Sequence, residues 1–205
     1  MDQHTQAKVE LWKNNVTEPD LKAELERLMG DEEKLNDAFY RDLAFGTAGL
    51  RGVLGVGTNR MNVYVVAQAT QGVADYLNAH YDKPTLALAR DSRLKGEDFQ
   101  RVTASVLAAN GVHVFVYPRI EPVPTLSFAV RYLHTSAGIV LTASHNPAKY
   151  NGMKFCLADV FPVRPGFTTE LRERAATVIT GEKVVGDYEE RDLTAEFVAH
   201  LDRLG

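Results

Sequence analysis

Cysteine is nearly absent. Cys156 is the only one in 205 residues, so an intrachain disulfide and a cysteine-based zinc cluster are both excluded. A basic excess is missing too: 23 Lys and Arg stand against 27 Asp and Glu, for a net charge of −4. That argues against a dedicated nucleic-acid binder, while leaving room for a local basic pocket that takes an anion. No apolar run approaches the length of a membrane span. The start, Met1-Asp2-Gln3-His4, lacks the basic region and apolar core of a secretory signal. Internal repeats and low-complexity segments are absent, and no His, Asp or Glu cluster has metal-ligand spacing. The expectation is a soluble, cytoplasmic protein with neither a nucleic-acid nor a membrane partner. What is present is ordinary globular material, 45% hydrophobic and 24% charged, in a length that suits one substantial domain or one domain and part of another.

The first forty residues read as a helical extension. Leu21, Leu25, Leu28 and Met29 recur at helical spacing, with Pro19 suited to a first turn and Gly30 to a stop. Asp31 can cap a second helix through Tyr40, with Leu35, Ala38 and Phe39 inward. Residues 43–59 carry five glycines, a density that implies sharp turns or close backbone approach. From there the pattern alternates. Helices are predicted over about 62–80, 97–110, 125–134, 168–180 and 192–204, and strands over 85–89, 112–117, 137–141 and 153–157. The spacing predicts an α/β fold: helices layered around a small, mostly parallel or mixed sheet of about four strands. The expected organisation is an extension at 1–40, an α/β domain at 41–182, and a linker with the start of a truncated second domain at 183–205.

Four segments could carry chemistry. Thr142-Ala143-Ser144-His145-Asn146-Pro147 follows a predicted strand, where α/β proteins place their sites. Its alternative is a polar loop that uses Ser and Asn to turn. Ser144 and His145 are neighbours, so on extended backbone their side chains diverge, and no G-x-S-x-G elbow is present. Phe45-Gly46-Thr47-Ala48-Gly49-Leu50-Arg51-Gly52 is neither a Walker loop nor a dinucleotide fingerprint. Its amides with Arg51 could cradle an anion, or it could be a connector with a solvated arginine. Lys154, in Tyr150-Asn151-Gly152-Met153-Lys154, could meet a phosphate or move a proton, or be an ordinary strand lysine. Arg90-Asp91-Ser92-Arg93 ends a predicted strand; an Asp–Arg pair there is at least as often a structural ion pair.

In this order, these four motifs resemble the α-D-phosphohexomutase superfamily, in particular its phosphoglucomutase branch, over about residues 40–154. Gly57-Thr58-Asn59-Arg60-Met61-Asn62 is similar to that branch as well. The resemblance implies a catalytic phosphoserine at Ser144 and an interconversion of glucose 1-phosphate and glucose 6-phosphate through glucose 1,6-bisphosphate. It implies that Lys154 and His145 are catalytic, Lys154 as a candidate general acid/base. Arg51, Thr47, Asn146 and Arg93 would bind phosphate or substrate. Mg²⁺ would bind an oxygen of the phosphate on Ser144 together with a few carboxylates; the D-G-D-x-D loop that carries those carboxylates in the family does not occur in these 205 residues. The implied partners are a hexose phosphate and the C-terminal domains of such an enzyme. Phosphomannomutase or phosphopentomutase specificity, or a non-catalytic sugar-phosphate-binding or remnant module, are the alternatives.

Overall fold

A computed structural model describes residues 1–46, 49–157 and 188–203. The helix predicted over 168–180 and the segment containing Thr47 lie outside the described residues. The chain opens with α1 (Gln3–Asn15), α2 (Pro19–Leu28) and α3 (Glu32–Phe39). Their starts are fixed locally: the side chains of Asp2 and Asp31 accept from the amides of Thr5 and Lys34, and Pro19 occupies the first turn of α2. Leu21, Leu25, Leu35, Ala38 and Phe39 face inward, joined by Val9 and Trp12 of α1. The Trp12 ring meets Phe39 and Tyr64 edge-on, with centroids at 5.6 and 5.3 Å. Val56 is buried in the same cluster, so the helical extension is packed onto the body.

The body is built from β1 (Phe45–Gly46), β2 (Gly49–Val53), α4 (Val63–His80), β3 (Thr85–Arg90), α5 (Gly96–Ala109), β4 (His113–Val116), α6 (Val123–Tyr132), β5 (Ala137–Leu141), β6 (Tyr150–Leu157), β7 (Glu189–Glu190) and α7 (Thr194–Asp202). The strands form one mixed sheet in the order β1-β2-β6-β5-β3-β4-β7. Strands β5, β3, β4 and β7 run parallel, and β6 runs antiparallel to both β5 and β2. The expectation of about four strands therefore falls short of the seven described. Two of the additional strands, β1 and β2, lie in the glycine-rich stretch, where composition signals turning rather than pairing. The third, β7, has two residues and is too short to show a period.

Alternation splits the sheet into two packed faces. Leu86, Leu88, Ile139, Leu141, Met153 and Phe155 join the cluster beneath α4 and α5. Ala87, Ala89, Val140 and Cys156 meet α6 and the partly buried Phe197 of α7. The result is an α/β/α arrangement, each buried Leu or Ile side chain contributing about 1.5–3 kcal/mol. The buried face of α4 is broad, taking in Val65, Val66, Ala69, Val73, Tyr76 and Leu77, while Val63 and Ala67 are half-buried. Helix α4 packs on α5 as well as the sheet, and a helix with two neighbours buries more than one stripe. Helix α6 starts two residues earlier than predicted, because Pro122 and Pro124 fit its cap and first turn. His113 is exposed on the outer part of the sheet, with Nε2 3.2 Å from Glu189.

Candidate functional site

Three chain segments converge at one end of the sheet. Parallel strands β3 and β5 finish side by side, and the amide of Asp91 donates to the Leu141 carbonyl at 3.1 Å. The chain leaving β5 carries Thr142 to Pro147 and returns as β6, with the Thr142 amide donating to the Gly152 carbonyl at 2.9 Å. Beyond β6 lies β2, which pairs Arg51 with Gly152 and Gly49 with Lys154. Paired residues share a face, so Arg51, Gly152 and Lys154 stand together on the side opposite Leu50 and Met153, which are buried in the core beneath α4.

Glycine is required twice in this wall. A Cβ on Gly152 would lie 2.5 Å from the Leu50 carbonyl oxygen and 2.9 Å from that of Thr142. A Cβ on Gly49, where φ is +150°, would sit 1.9 Å from the Met153 carbonyl oxygen. These positions let β2 and the outgoing β5 chain close on β6 with no side chain between them.

Ser144 is exposed and has φ of 57°, a left-handed conformation uncommon outside glycine and costly for most residues. Its backbone amide donates to the Thr142 hydroxyl at 2.9 Å, and its carbonyl accepts from Arg93 Nη2 at 2.8 Å. The expectation that Ser144 and His145 diverge does not hold. The left-handed turn brings Ser144 Oγ within 3.4 Å of His145 Nδ1, because that expectation assumed extended backbone. Arg51 Nη1 donates to Asn146 Oδ1 at 2.8 Å, so two residues 95 apart in sequence meet at the loop.

The Arg93 side chain is 12% exposed, and Nη1 donates to the carbonyls of Pro147 and Tyr150 while Nη2 donates to those of Ser144 and Asn146, at 2.6 to 3.1 Å. Asp91 sits behind it, accepting from the Arg93 amide at 3.0 Å and from the Thr142 hydroxyl, with Oδ2 3.6 Å from Arg93 Nε. Asp91 and Thr142 stand in two of the quoted segments, but the sequence assigned neither a role in the site. Each string shows its own residue, and neither shows that the two side chains meet.

Lys154 lies one β-pair from Val140 and one from Gly49, and is half-buried. Two residues further, burial pushes the Cys156 thiol up to about 11, which leaves it a neutral packing group. Among the described residues, no three His, Cys, Asp or Glu side chains group to hold a metal ion. A groove of about 610 Å³ runs along α7, lined by Arg119, Asp192, Val198 and Asp202; none of the residues in the four motifs lines it. No described helix is long and apolar enough to cross a membrane.

A sequence model of phosphoglucomutase/phosphomannomutase α/β/α domain I matches residues 42–181. A phosphoglucomutase from Staphylococcus haemolyticus is 44% identical over 121 residues, covering 59% of this chain and 22% of the relative. One from Staphylococcus aureus is 41% identical over 145 residues, covering 71% and 26%. The chain thus spans about a quarter of the length of the curated relatives it matches. Among solved structures, one from Thermus thermophilus, described provisionally as a phosphomannomutase, superposes with a TM-score of 0.72 at 28% identity, covering 80% of this chain and 36% of that one. A phosphoglucomutase/phosphomannomutase family protein from Burkholderia thailandensis gives 0.63 at 27%, covering 76% and 34%. The α/β/α layering and the match across residues 42–181 together show that the chain belongs to the phosphoglucomutase/phosphomannomutase family, as its domain I.

Proposed function

We propose that this chain is the phosphoserine-bearing part of a cytoplasmic phosphoglucomutase, with Ser144 as the residue that carries the phosphoryl group between glucose 1-phosphate and glucose 6-phosphate. The observation that carries this reading is the exposed Ser144 in a left-handed turn, its amide and carbonyl both hydrogen-bonded and its Oγ beside His145 Nδ1. A residue held in a costly conformation with an accessible nucleophilic atom is a common feature of transfer sites.

Transfer from phosphoserine breaks the bond between phosphorus and Ser144 Oγ and forms one to a sugar hydroxyl. The hydroxyl gives up its proton and Oγ, as leaving group, takes one. Lys154 and His145 are the groups proposed to handle these protons, one from β6 and one from the serine loop. Phosphoryl transfer depends on in-line positioning and neutralised charge. Arg51 supplies fixed positive charge on the Lys154 face, and Asn146, which accepts from Arg51, orients it. The resulting glucose 1,6-bisphosphate reorients and returns its other phosphate to Ser144. Thr47 would add a contact from the glycine-rich segment. Mg²⁺, when bound through the phosphate on Ser144, would neutralise charge on the transferring group. The described residues bring no carboxylate set for it.

Because the matched segments cover only 22% and 26% of those relatives, turnover is proposed to need further domains that supply the metal ligands and select the sugar. Phosphomannomutase or phosphopentomutase chemistry would use the same serine. The test is uptake of labelled phosphate from glucose 1,6-bisphosphate by the 205-residue chain with Mg²⁺ present, alongside a coupled assay for glucose 6-phosphate. A single slow transfer without turnover is expected. Ser144→Ala should take up none, and Lys154→Met should slow uptake on the order of 100-fold. Uptake by Ser144→Ala at the normal rate contradicts the proposal, and sustained turnover by the chain alone contradicts the need for further domains. Binding of sugar phosphate with no uptake at all would favour a non-catalytic module.

A further inference from the structure

We infer that Arg93 is a positioning residue: together with the Asp91–Thr142 pair it locks Ser144 in the left-handed turn that presents Oγ, and it does so by binding the loop rather than the phosphate. This inference rests on the reading of Ser144 as phosphoryl carrier.

The geometry assigns each arm a separate end of the same residue. Arg93 Nη2 holds the carbonyl of Ser144 at 2.8 Å. Thr142 Oγ1 holds its amide at 2.9 Å. The direction of the second bond is fixed from behind. A carboxylate can only accept, so the Thr142 hydroxyl proton points to Asp91 Oδ2 and its lone pair is left for the Ser144 amide. The same carboxylate faces Arg93 Nε at 3.6 Å and receives the Arg93 amide at 3.0 Å, tying the two arms together. With both backbone groups pinned, a φ of 57° persists without glycine.

Four guanidinium hydrogen bonds are directed at carbonyls of residues 144, 146, 147 and 150. A planar fork can span such a set; a lysine ammonium is a point charge on a flexible stem and cannot. The loop geometry therefore demands arginine at position 93. It also commits those donors to the loop, leaving Arg51 and Lys154 as the cations that face the transferred group.

The test is amide hydrogen exchange and backbone chemical shifts of the isotopically labelled 205-residue chain, for wild type, Arg93→Lys, Arg93→Ala and Thr142→Val. Arg93→Lys is expected to speed exchange at Ser144 on the order of tenfold, the effect of losing one hydrogen bond, and to move its shifts from left-handed towards extended values. Ile139 and Val140 should exchange as before. Low concentrations of guanidinium ion should restore part of the Ser144 signature in Arg93→Ala, and not in Arg93→Lys. Thr142→Val should release the Ser144 amide alone, which keeps the inference testable should the arginine variants fail to fold. Left-handed shifts and slow exchange at Ser144 in both Arg93→Lys and Thr142→Val would overturn the inference, as would loss of protection spread evenly over β3, β5 and β6. Absence of phosphate uptake by wild-type protein with this signature intact would instead count against Ser144 as carrier.

Discussion

At the level of single residues, Ser144 carries strain that the rest of the loop sustains. A left-handed L-residue costs roughly 1–2 kcal/mol, and glycine escapes that cost. Ser144→Gly is therefore expected to be more stable than Ser144→Ala by about 1 kcal/mol in urea unfolding, although neither can accept phosphate; equal stability would mean that the turn is unstrained. Much of this site was legible: the Ser-His-Asn loop, Arg51 and Lys154 stand on neighbouring segments at one sheet end. The left-handed turn was not legible, because serine carries no signal for positive φ and the hydrogen bonds that hold it involve residues 91 and 93, far off in sequence. Cys156 supplies a pH test. Its thiol is raised from 9.0 to about 11 by burial, so the folded state keeps a proton that the unfolded chain releases first. The associated stability is complete below pH 9 and is lost as pH climbs through 11. Stability of the wild-type chain should consequently fall more steeply between pH 9 and 11 than that of Cys156→Ala. Identical slopes would place the thiol in contact with water.

Among elements, the contact of β2 with β6 decides whether Arg51 and Lys154 share a face. The predicted helices and the parallel strands that fall on described residues lie close to their observed ranges, since they rest on apolar period and on proline or glycine stops. Strands β1 and β2 were hidden for a physical reason. Glycine lowers intrinsic strand preference, yet Gly49 and Gly152 are the residues that permit this close pairing. Gly152→Ala would force a methyl group against two carbonyl oxygens. It is expected to destabilise the chain by about 2–3 kcal/mol and to separate Arg51 from Asn146. A thermal midpoint unchanged from wild type would show that the strands can part without cost.

Across the whole molecule, the α-helical extension, the mixed sheet and its two covering layers form a scaffold whose one end presents the serine loop. Apolar periodicity was enough to read the α/β class and its helix layers. It was not enough to count the strands, because a two-residue strand such as β7 is defined by its partner β4 rather than by its own pattern. The family match concerns domain I, and the matched segments cover about a quarter of the relatives' length, so the chemistry proposed for this chain narrows to one atom, Ser144 Oγ. Peptide mapping after exposure to glucose 1,6-bisphosphate and Mg²⁺ tests it most directly. Cleavage after Arg131 and Lys149 releases Tyr132–Lys149, which contains Ser144. This peptide alone is expected to gain a phosphate, with fragmentation placing it on Ser144; a phosphate located on any other residue, or none on this peptide, would rule out Ser144 as the carrier.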